Sequence, residues 1–204
     1  MIAFNSFFIE QTREGKLVVI YPGRFQPAHK GHAQVYRTLV EQYPDADVYV
    51  ATSAKVDEKS PFSFEERKFA LEKAGVPGDK IVQVVSPYVA KEITLKYNDT
   101  KDRLIYAVSE KDIDRFSYGP KKDGSPSYFQ KLKDAKELQP LGEKGYIAIA
   151  PVFPFKVLGK TVTGATQIRD MYKHVSEPER KQIIIDLYGR FDRAIYNLFN
   201  KKLK

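Results

Sequence analysis

Two of the three histidines in this 204-residue chain stand three positions apart, and they are the residues best suited to chemistry. His29 and His32 enclose Gly31, and Arg24 precedes them. Imidazole N–H groups can donate to phosphate oxygens, and a guanidinium group can bind the same anion. The sequence therefore predicts a phosphate-binding site within residues 23–32.

The elements that must position these residues have the pattern of a strand followed by a helix. Residues 17–21 form a buried apolar run, and apolar residues recur at helical spacing between Gly31 and Tyr43. Open α/β sheets bind ligands where strands end and helices begin, beside unpaired N–H groups and the positive end of a dipole. Gly23 is expected to let backbone approach the ligand, and Gly31 to let the helix begin without an intervening Cβ.

The rest of the chain alternates apolar β-type runs with helical segments, which predicts an α/β fold with an open parallel sheet flanked by helices. A capping box at residues 176–179 opens a C-terminal helical element that Gly189 can divide. The other expected strands cover residues 47–53, 81–85, 104–108 and 147–152, and the other expected helices cover 63–75, 87–97 and a segment from about 166.

Residues 109–145 interrupt this alternation. Their charged centre, residues 119–126, contains two glycines and two prolines and is predicted to be a surface loop or lid. We expect it to be mobile without ligand and to close over an acceptor. Residues 154–161 approach the spacing of a phosphate-binding P-loop, but Pro154 replaces its first glycine, which argues against a P-loop enzyme.

Composition excludes several classes of function. The chain has no cysteine, so thiol catalysis, disulfides and cysteine-ligated metals are excluded, and no apolar run is long enough to span a membrane. A cytoplasmic location is the expectation. The net charge of +8 suits an anionic partner. Because acids interleave with bases, as at residues 131–137, we expect small phosphorylated substrates rather than a specific nucleic acid or a membrane.

Two motifs carry a resemblance to a known superfamily. The run Gly-Arg-Phe-Gln-Pro at residues 23–27, followed by His-Lys-Gly-His at 29–32, resembles the HxGH nucleotidyltransferases, most closely the nicotinamide-mononucleotide adenylyltransferases of archaeal and phage type. The second signature of that group, Ile-Ser-Ser-Thr-x-x-Arg, is matched in part by residues 163–169. Gly164 and Ala165 replace both serines, so hydroxyl groups that would touch phosphate are missing.

The resemblance implies a Rossmann-like fold and a nucleotidyl transfer in which an acceptor phosphate attacks the α-phosphorus of a nucleoside triphosphate. His29 and His32 would hold the α- and β-phosphates, and Arg169 would grip the leaving pyrophosphate, with Mg²⁺ bridging the phosphates and no metal-ligating residue assigned. The residues expected to line the nucleotide are Gly23, Arg24, Phe25, Gly31, Asp112, Thr163 and Thr166.

Two of the implied roles stay open between alternatives. Lys55 meets the acceptor phosphate or is a solvated loop lysine. Asp112 accepts from a base or ribose, helps to hold Mg²⁺ through water, or fixes its own turn. The expected organisation is an extension at residues 1–16, a nucleotidyltransferase domain at 17–175 and the helical element at 176–204, and an assembly of like subunits also stays open.

Three functions remain at this stage. The first is transfer of AMP from ATP to nicotinamide mononucleotide, which the Arg-Phe-Gln-Pro run favours by resemblance. The second is a cytidylyltransferase or other nucleotidyltransferase with a phosphosugar, phosphoalcohol or phosphopantetheine acceptor. The third is a non-catalytic module that binds nucleotides or nucleic acid.

Overall fold

Six strands form one sheet in the computed structural model, which describes residues 15–162 and 164–204. Their order is β3-β2-β1-β4-β6-β5, and every neighbouring pair is parallel, as predicted. The order reverses between β1 and β4, which places the binding crevice of such a sheet at the carboxyl ends of these two strands. The strands are β1 (Leu17–Pro22), β2 (Asp47–Ser53), β3 (Ile81–Val84), β4 (Arg103–Val108), β5 (Phe129–Lys131) and β6 (Gly145–Ile149).

The central strands are apolar throughout because both faces of the sheet are covered. In β1, Val19 packs into one hydrophobic cluster, whereas Val18 and Ile20 pack into the cluster on the opposite face. All three side chains are fully buried. The period-two alternation of side chains therefore divides one apolar run between two layers of helices and loops.

Within the described residues, six α-helices accompany the sheet, and the ends of α2 and α5 follow the expected signals. Ser63 and Glu66 form the predicted capping box at the start of α2, and Gly75 ends that helix in a left-handed conformation with φ of 108°. The capping box at Ser176 opens α5, and Gly189 ends it at φ of 79°. The helices are α1 (Lys30–Gln42), α2 (Phe64–Ala74), α3 (Lys91–Thr94), α4 (Ala165–His174), α5 (Glu177–Tyr188) and α6 (Arg193–Leu203).

Two predicted elements are wrong in extent. The helix expected over residues 87–97 is only the four-residue α3, because a turn from Ser86 to Ala90 precedes it and Ala90 has a φ of 45°. The strand expected over residues 147–152 is β6, which begins earlier, at Gly145, and ends earlier, at Ile149. The chain leaves the sheet after Ala150, whose N–H bonds the carbonyl of Val108, because the following proline has no N–H for the ladder.

The segment between β4 and β6 is more ordered than a plain loop. The centre of this segment, residues 119–126, folds back on itself through a bond from Lys121 N to the Ser125 carbonyl (2.7 Å). Residues 129–131, shortly after that centre, form β5 at the sheet edge. The region with P-loop spacing is a hairpin of β7 (Phe155–Val157) and β8 (Lys160–Val162), not the strand–loop–helix of a P-loop. Sequence periodicity predicted none of these three short strands.

The C-terminal helices share the core of the sheet. Leu187 of α5 and Phe199 of α6 belong to the same cluster as Val19, and both are fully buried. An ion pair from Lys73 to Asp192 (2.9 Å) joins α2 to the start of α6. No helix among the described residues is long and apolar enough to cross a bilayer.

We predict that Asp192→Ala lowers the free energy of unfolding by about 1–2 kcal/mol. The Asp192 carboxylate caps α6 by accepting from the N–H groups of Ala194 and Ile195, and it also pairs with Lys73. Urea unfolding measures the change, with Asp123→Ala in an exposed turn as the control. Equal unfolding midpoints for both variants would contradict the assigned role.

Candidate active site

The loop from β1 to α1 has one defined backbone path. Phe25 takes a φ of 49° and folds its ring back over Gly23, where a Cβ would lie only 2.7 Å from the ring. The ring also stands edge-on to Tyr21 and to His32. The space above Gly23 is therefore filled by Phe25, so the glycine serves the packing of the loop, in contrast to the expected approach of backbone to ligand.

His29 and His32 lie together at the start of α1, with ring centroids 3.8 Å apart. His29 is the N-cap and its Nδ1 accepts from Gly31 N (3.1 Å), while Nδ1 of His32 accepts from His29 N (3.2 Å). Gly31 makes this possible, because a Cβ there would lie 3.0 Å from the His29 ring. The predicted need for a glycine at the helix start is thus explained by the capping imidazole.

Both imidazoles are neutral at pH 7. Burial, together with the charge of Lys111, lowers the pKa of His32 to about 3. Burial first, then His32 and Lys30, lowers the pKa of His29 well below its ordinary value. Because Nδ1 of each ring accepts a hydrogen bond, the single ring proton resides on Nε2. Each histidine therefore offers one Nε2–H donor to a ligand.

Arg169 brings the second predicted motif to the same loop. Its guanidinium group donates to the carbonyl of Gln26 (2.5 Å) and to Oγ1 of Thr166 (3.2 Å). Burial lowers the pKa of Arg169, Asp170 opposes that change, and the charge of Arg24 adds to it. Arg24 itself is exposed. The positive charges of Arg24 and Arg169 oppose one another, and an anion bound near both would relieve that repulsion.

Gly164 occupies the N-cap of α4. Among the described residues, no side chain caps it and, chain neighbours aside, no atom lies within 4 Å of the position that a Cβ would take. Thr166 is exposed in the first turn, so in the described part of this helix end the replacement of the two serines leaves backbone N–H groups and the Thr166 hydroxyl. The predicted residue Thr163 lies outside the described residues.

Asp112 and Lys55 are both engaged by neighbours in sequence. The Asp112 carboxylate accepts from the hydroxyl of Ser109 (2.6 Å) and from Arg115 (2.7 Å), so it fixes its own turn. Burial would raise the pKa of Asp112, but these two hydrogen bonds lower it. Lys55 is exposed and pairs with Asp57 at 3.0 Å. Asp112 thus has the role of fixing its own turn, and Lys55 that of a solvated loop lysine. Ligand contacts for both residues stay predictions.

A cavity of about 900 Å³ opens beyond the ends of β3 and β4. The turn after β3 forms one wall, and the segment between β4 and β6 forms the other. Arg115 lies over the ring of Tyr88 at 5.0 Å, and burial, followed by the charge of Asp112, raises the pKa of Tyr88. Its aromatic lining residues are Tyr88, Phe116, Tyr128 and Phe129, and its polar ones include Ser86, Arg115, Ser117, Lys121 and Ser127.

A smaller pocket of about 210 Å³ lies on the other side of His29. Phe155 of the hairpin forms part of it and stands 4.7 Å from the His29 ring. Gly31 and Gln34 of α1 line the opposite side. The narrow pocket therefore lies beside the histidine pair and the helix start, and the larger, aromatic-lined cavity lies beyond the ends of β3 and β4.

Sequence reasoning missed several residues of this region. Tyr88 and Arg115 carry no motif. They meet because the segment after β3 packs against β4 and the residues that follow it, through a contact of the Tyr88 and Phe116 rings and a bond from the Tyr106 hydroxyl to the Val89 carbonyl. Gln26 lay inside the recognised run, but its role was not assigned. Its buried amide forms two hydrogen bonds of 3.0 Å with the backbone of Phe62 and so joins the loops that follow β1 and β2.

The described residues do not fit a protein-held Mg²⁺ site. Among residues 15–162 and 164–204, no three His, Asp or Glu side chains are grouped to hold a metal ion. Asp112, the acid considered for that role, has its carboxylate engaged by Ser109 and Arg115. Mg²⁺ that accompanies a nucleoside triphosphate would belong to that substrate and needs no such site.

Comparison with known proteins gives two matches. Over a stretch of 57 residues, the chain is 39% identical to phosphopantetheine adenylyltransferase of Bdellovibrio bacteriovorus. The match covers 28% of this chain and 34% of the relative, so the chain spans about a third of the length of that protein. A family model described as Cytidylyltransferase-like matches residues 20–149, well over half of the chain. The region runs from the second half of β1 through the histidine pair to the end of β6. The chain accordingly belongs to the cytidylyltransferase-like family of the nucleotidyltransferase superfamily.

Proposed function

We propose that the protein is a nucleotidyltransferase that transfers AMP from ATP to the phosphate of nicotinamide mononucleotide, giving NAD and pyrophosphate. One observation carries the proposal: two neutral imidazoles lie together at the start of α1, at the switch point of the sheet, and Arg169 reaches the same loop at the Gln26 carbonyl. A narrow pocket lies beside Phe155, and a larger cavity lies beyond the ends of β3 and β4. A site of this kind binds a chain of phosphates and has room for a group at each end.

The proposed chemistry needs no general base from the protein. An acceptor phosphate is already ionised at pH 7, so it can attack the α-phosphorus directly while pyrophosphate leaves in line. His29 and His32 donate to phosphate oxygens as charge shifts toward the leaving group. Arg169 keeps its bond to the Gln26 carbonyl and donates to the pyrophosphate through another of its five N–H groups. Catalysis then consists of positioning and of electrostatic stabilisation.

The two pockets suggest which end of the reaction each substrate occupies. The narrow pocket suits a planar base, because Phe155 lines it and stands against His29, whose Nε2–H group is proposed to bind phosphate. The large cavity takes the acceptor. Its aromatic lining favours a planar ring over a flexible aliphatic chain, which supports nicotinamide mononucleotide.

A second acceptor has an observation in its favour. The relative from Bdellovibrio bacteriovorus is named a phosphopantetheine adenylyltransferase, and an open cavity of about 900 Å³ also has room for a longer acceptor. Transfer of CMP rather than AMP stands beside it, since the family is described as cytidylyltransferase-like. The predicted lid at residues 119–126 would close on either acceptor, because Lys121 lines the cavity.

The test is a panel of ATP and CTP against nicotinamide mononucleotide, phosphopantetheine and a phosphosugar, with Mg²⁺ present and pyrophosphate release as the readout. We expect release with ATP and nicotinamide mononucleotide. Release with another pair assigns that pair instead. No release with any pair, together with sub-micromolar binding of an oligonucleotide at physiological salt, would favour the non-catalytic module.

We predict that His32→Ala lowers turnover by about 10²-fold or more while the protein stays folded. The substitution removes a donor to developing phosphate charge, and it removes a side chain at the helix start rather than in the central core. Pyrophosphate release measures turnover, and circular dichroism checks the fold. An unchanged rate in the folded variant would rule out the phosphate-binding role.

We predict that the stability of the protein depends on pH through His29. Its pKa is lower in the folded state than the ordinary value near 6.5, so below that pH the unfolded chain binds a proton that the folded chain does not. Stability contributed by the neutral imidazole is present above pH 6.5 and falls as the pH falls. His29→Asn keeps an N-cap acceptor and removes the titration, so its free energy of unfolding should decline less between pH 7 and pH 5. Equal slopes in urea titrations of the variant and the parent would contradict this.

We predict that Tyr88→Ala raises the KM for the acceptor about tenfold and leaves the KM for the nucleoside triphosphate unchanged. The ring forms one wall of the large cavity and carries the Arg115 side chain on its face. Tyr43→Ala, at the far end of α1, serves as the control. A rise confined to the nucleoside triphosphate would place the two substrates the other way round.

A further inference from the structure

We infer that Tyr188, the last residue of α5, is a positioning residue for His29 and acts through the backbone of Ala28. The inference rests on the proposed function for its effect on turnover. It rests on the structure alone for its effect on the imidazole.

The contact joins two distant parts of the sequence. The Tyr188 hydroxyl donates to the carbonyl of Ala28 at 2.7 Å, across 160 positions. Ala28 immediately precedes the N-cap His29, and it is 1% exposed. The hydrogen bonds of α1 begin at the carbonyl of His29, which accepts from His32 N at 2.9 Å. The carbonyl of Ala28 therefore lies outside the helix, and Tyr188 supplies its donor.

The same turn of α5 also holds the other neighbour of His29. Asp186 accepts from Leu158 N at 2.8 Å and so fixes the turn of the β7–β8 hairpin. That hairpin carries Phe155, whose ring stands 4.7 Å from the His29 ring. Through Tyr188 and Asp186, α5 contacts both the backbone before His29 and the hairpin whose aromatic ring lies against its imidazole.

Loss of the hydroxyl alone should displace this arrangement without unfolding the protein. Tyr188→Phe keeps the ring, which contacts Phe199 in the core, but leaves the Ala28 carbonyl without this donor. A buried carbonyl without a partner shifts toward water or another donor, and the N-cap imidazole moves with it. A small displacement of a group at a reacting centre reduces turnover more than it reduces substrate binding.

The experiment compares Tyr188→Phe with Tyr146→Phe in the full chain. Tyr146 is also buried, and its hydroxyl also bonds a backbone carbonyl, that of Glu137, but it lies on β6 away from the loop. The first readout is the imidazole resonance of His29 in the ligand-free protein, assigned with His29→Asn. The others are kcat, KM for the nucleoside triphosphate and the unfolding midpoint.

For Tyr188→Phe we expect a shifted His29 resonance and kcat reduced roughly tenfold, with KM for the nucleoside triphosphate changed less than about twofold. Tyr146→Phe should leave the resonance and kcat unchanged at a comparable change in unfolding midpoint. An unmoved His29 resonance in Tyr188→Phe overturns the inference, and so does an equal loss of kcat in both variants. If the parent releases no pyrophosphate, the proposed function fails and the resonance alone decides the positioning role.

Discussion

The conformation of the loop from Gln26 to Ala28 is the constraint on which the rest of the site depends. Phe62 binds the Gln26 side chain, Arg169 binds the Gln26 carbonyl, and Tyr188 binds the Ala28 carbonyl. These three residues come from the loop before α2, from α4 and from α5. The histidine pair is therefore placed by contacts that exist only when the whole chain has folded.

The buried guanidinium group of Arg67 supports the contact between Phe62 and Gln26. Arg67 of α2 is 1% exposed and donates to the carbonyls of Phe62 and Lys55 and to the hydroxyl of Thr52. These oxygens lie at the end of β2 and in the loop that follows it, so one guanidinium group orders the whole turn. Burial lowers the pKa of Arg67, but a guanidinium group stays charged in proteins, and its hydrogen bonds offset the cost of desolvation.

The electrostatics of the site follow from the same packing. Because His29 and His32 are held neutral, the imidazoles add no permanent buried charge. The permanent positive charge lies on Arg24, which is exposed, and on Arg169, which is half-buried, so water solvates it in part. Under the proposed function, this division would suit a site that binds a polyanion, transfers part of it and releases the rest.

Local patterns in the amino-acid sequence predicted the parallel sheet, the capped helices and the residues of the two motifs. These features depend on local periodicity, on capping boxes and on residue types at fixed spacing, all of which are readable over a few turns of chain. The run from His29 to His32 thus predicted where α1 begins, although the reason for Gly31 proved to be the capping imidazole of His29. Its phosphate-binding role stays a prediction.

Tertiary structure alone decided what surrounds that end. The four-residue α3, the strand β5 and the hairpin of β7 and β8 depend on neighbours distant in sequence, so no periodic pattern announces them. The aromatic cavity arises where Tyr88 and Arg115 meet across two strand ends. The hydroxyl of Tyr188 reaches Ala28 only because α5 packs on the sheet's core. Motif residues are specified by their own chemistry, whereas the groups that orient them are specified by packing, which a linear sequence does not display.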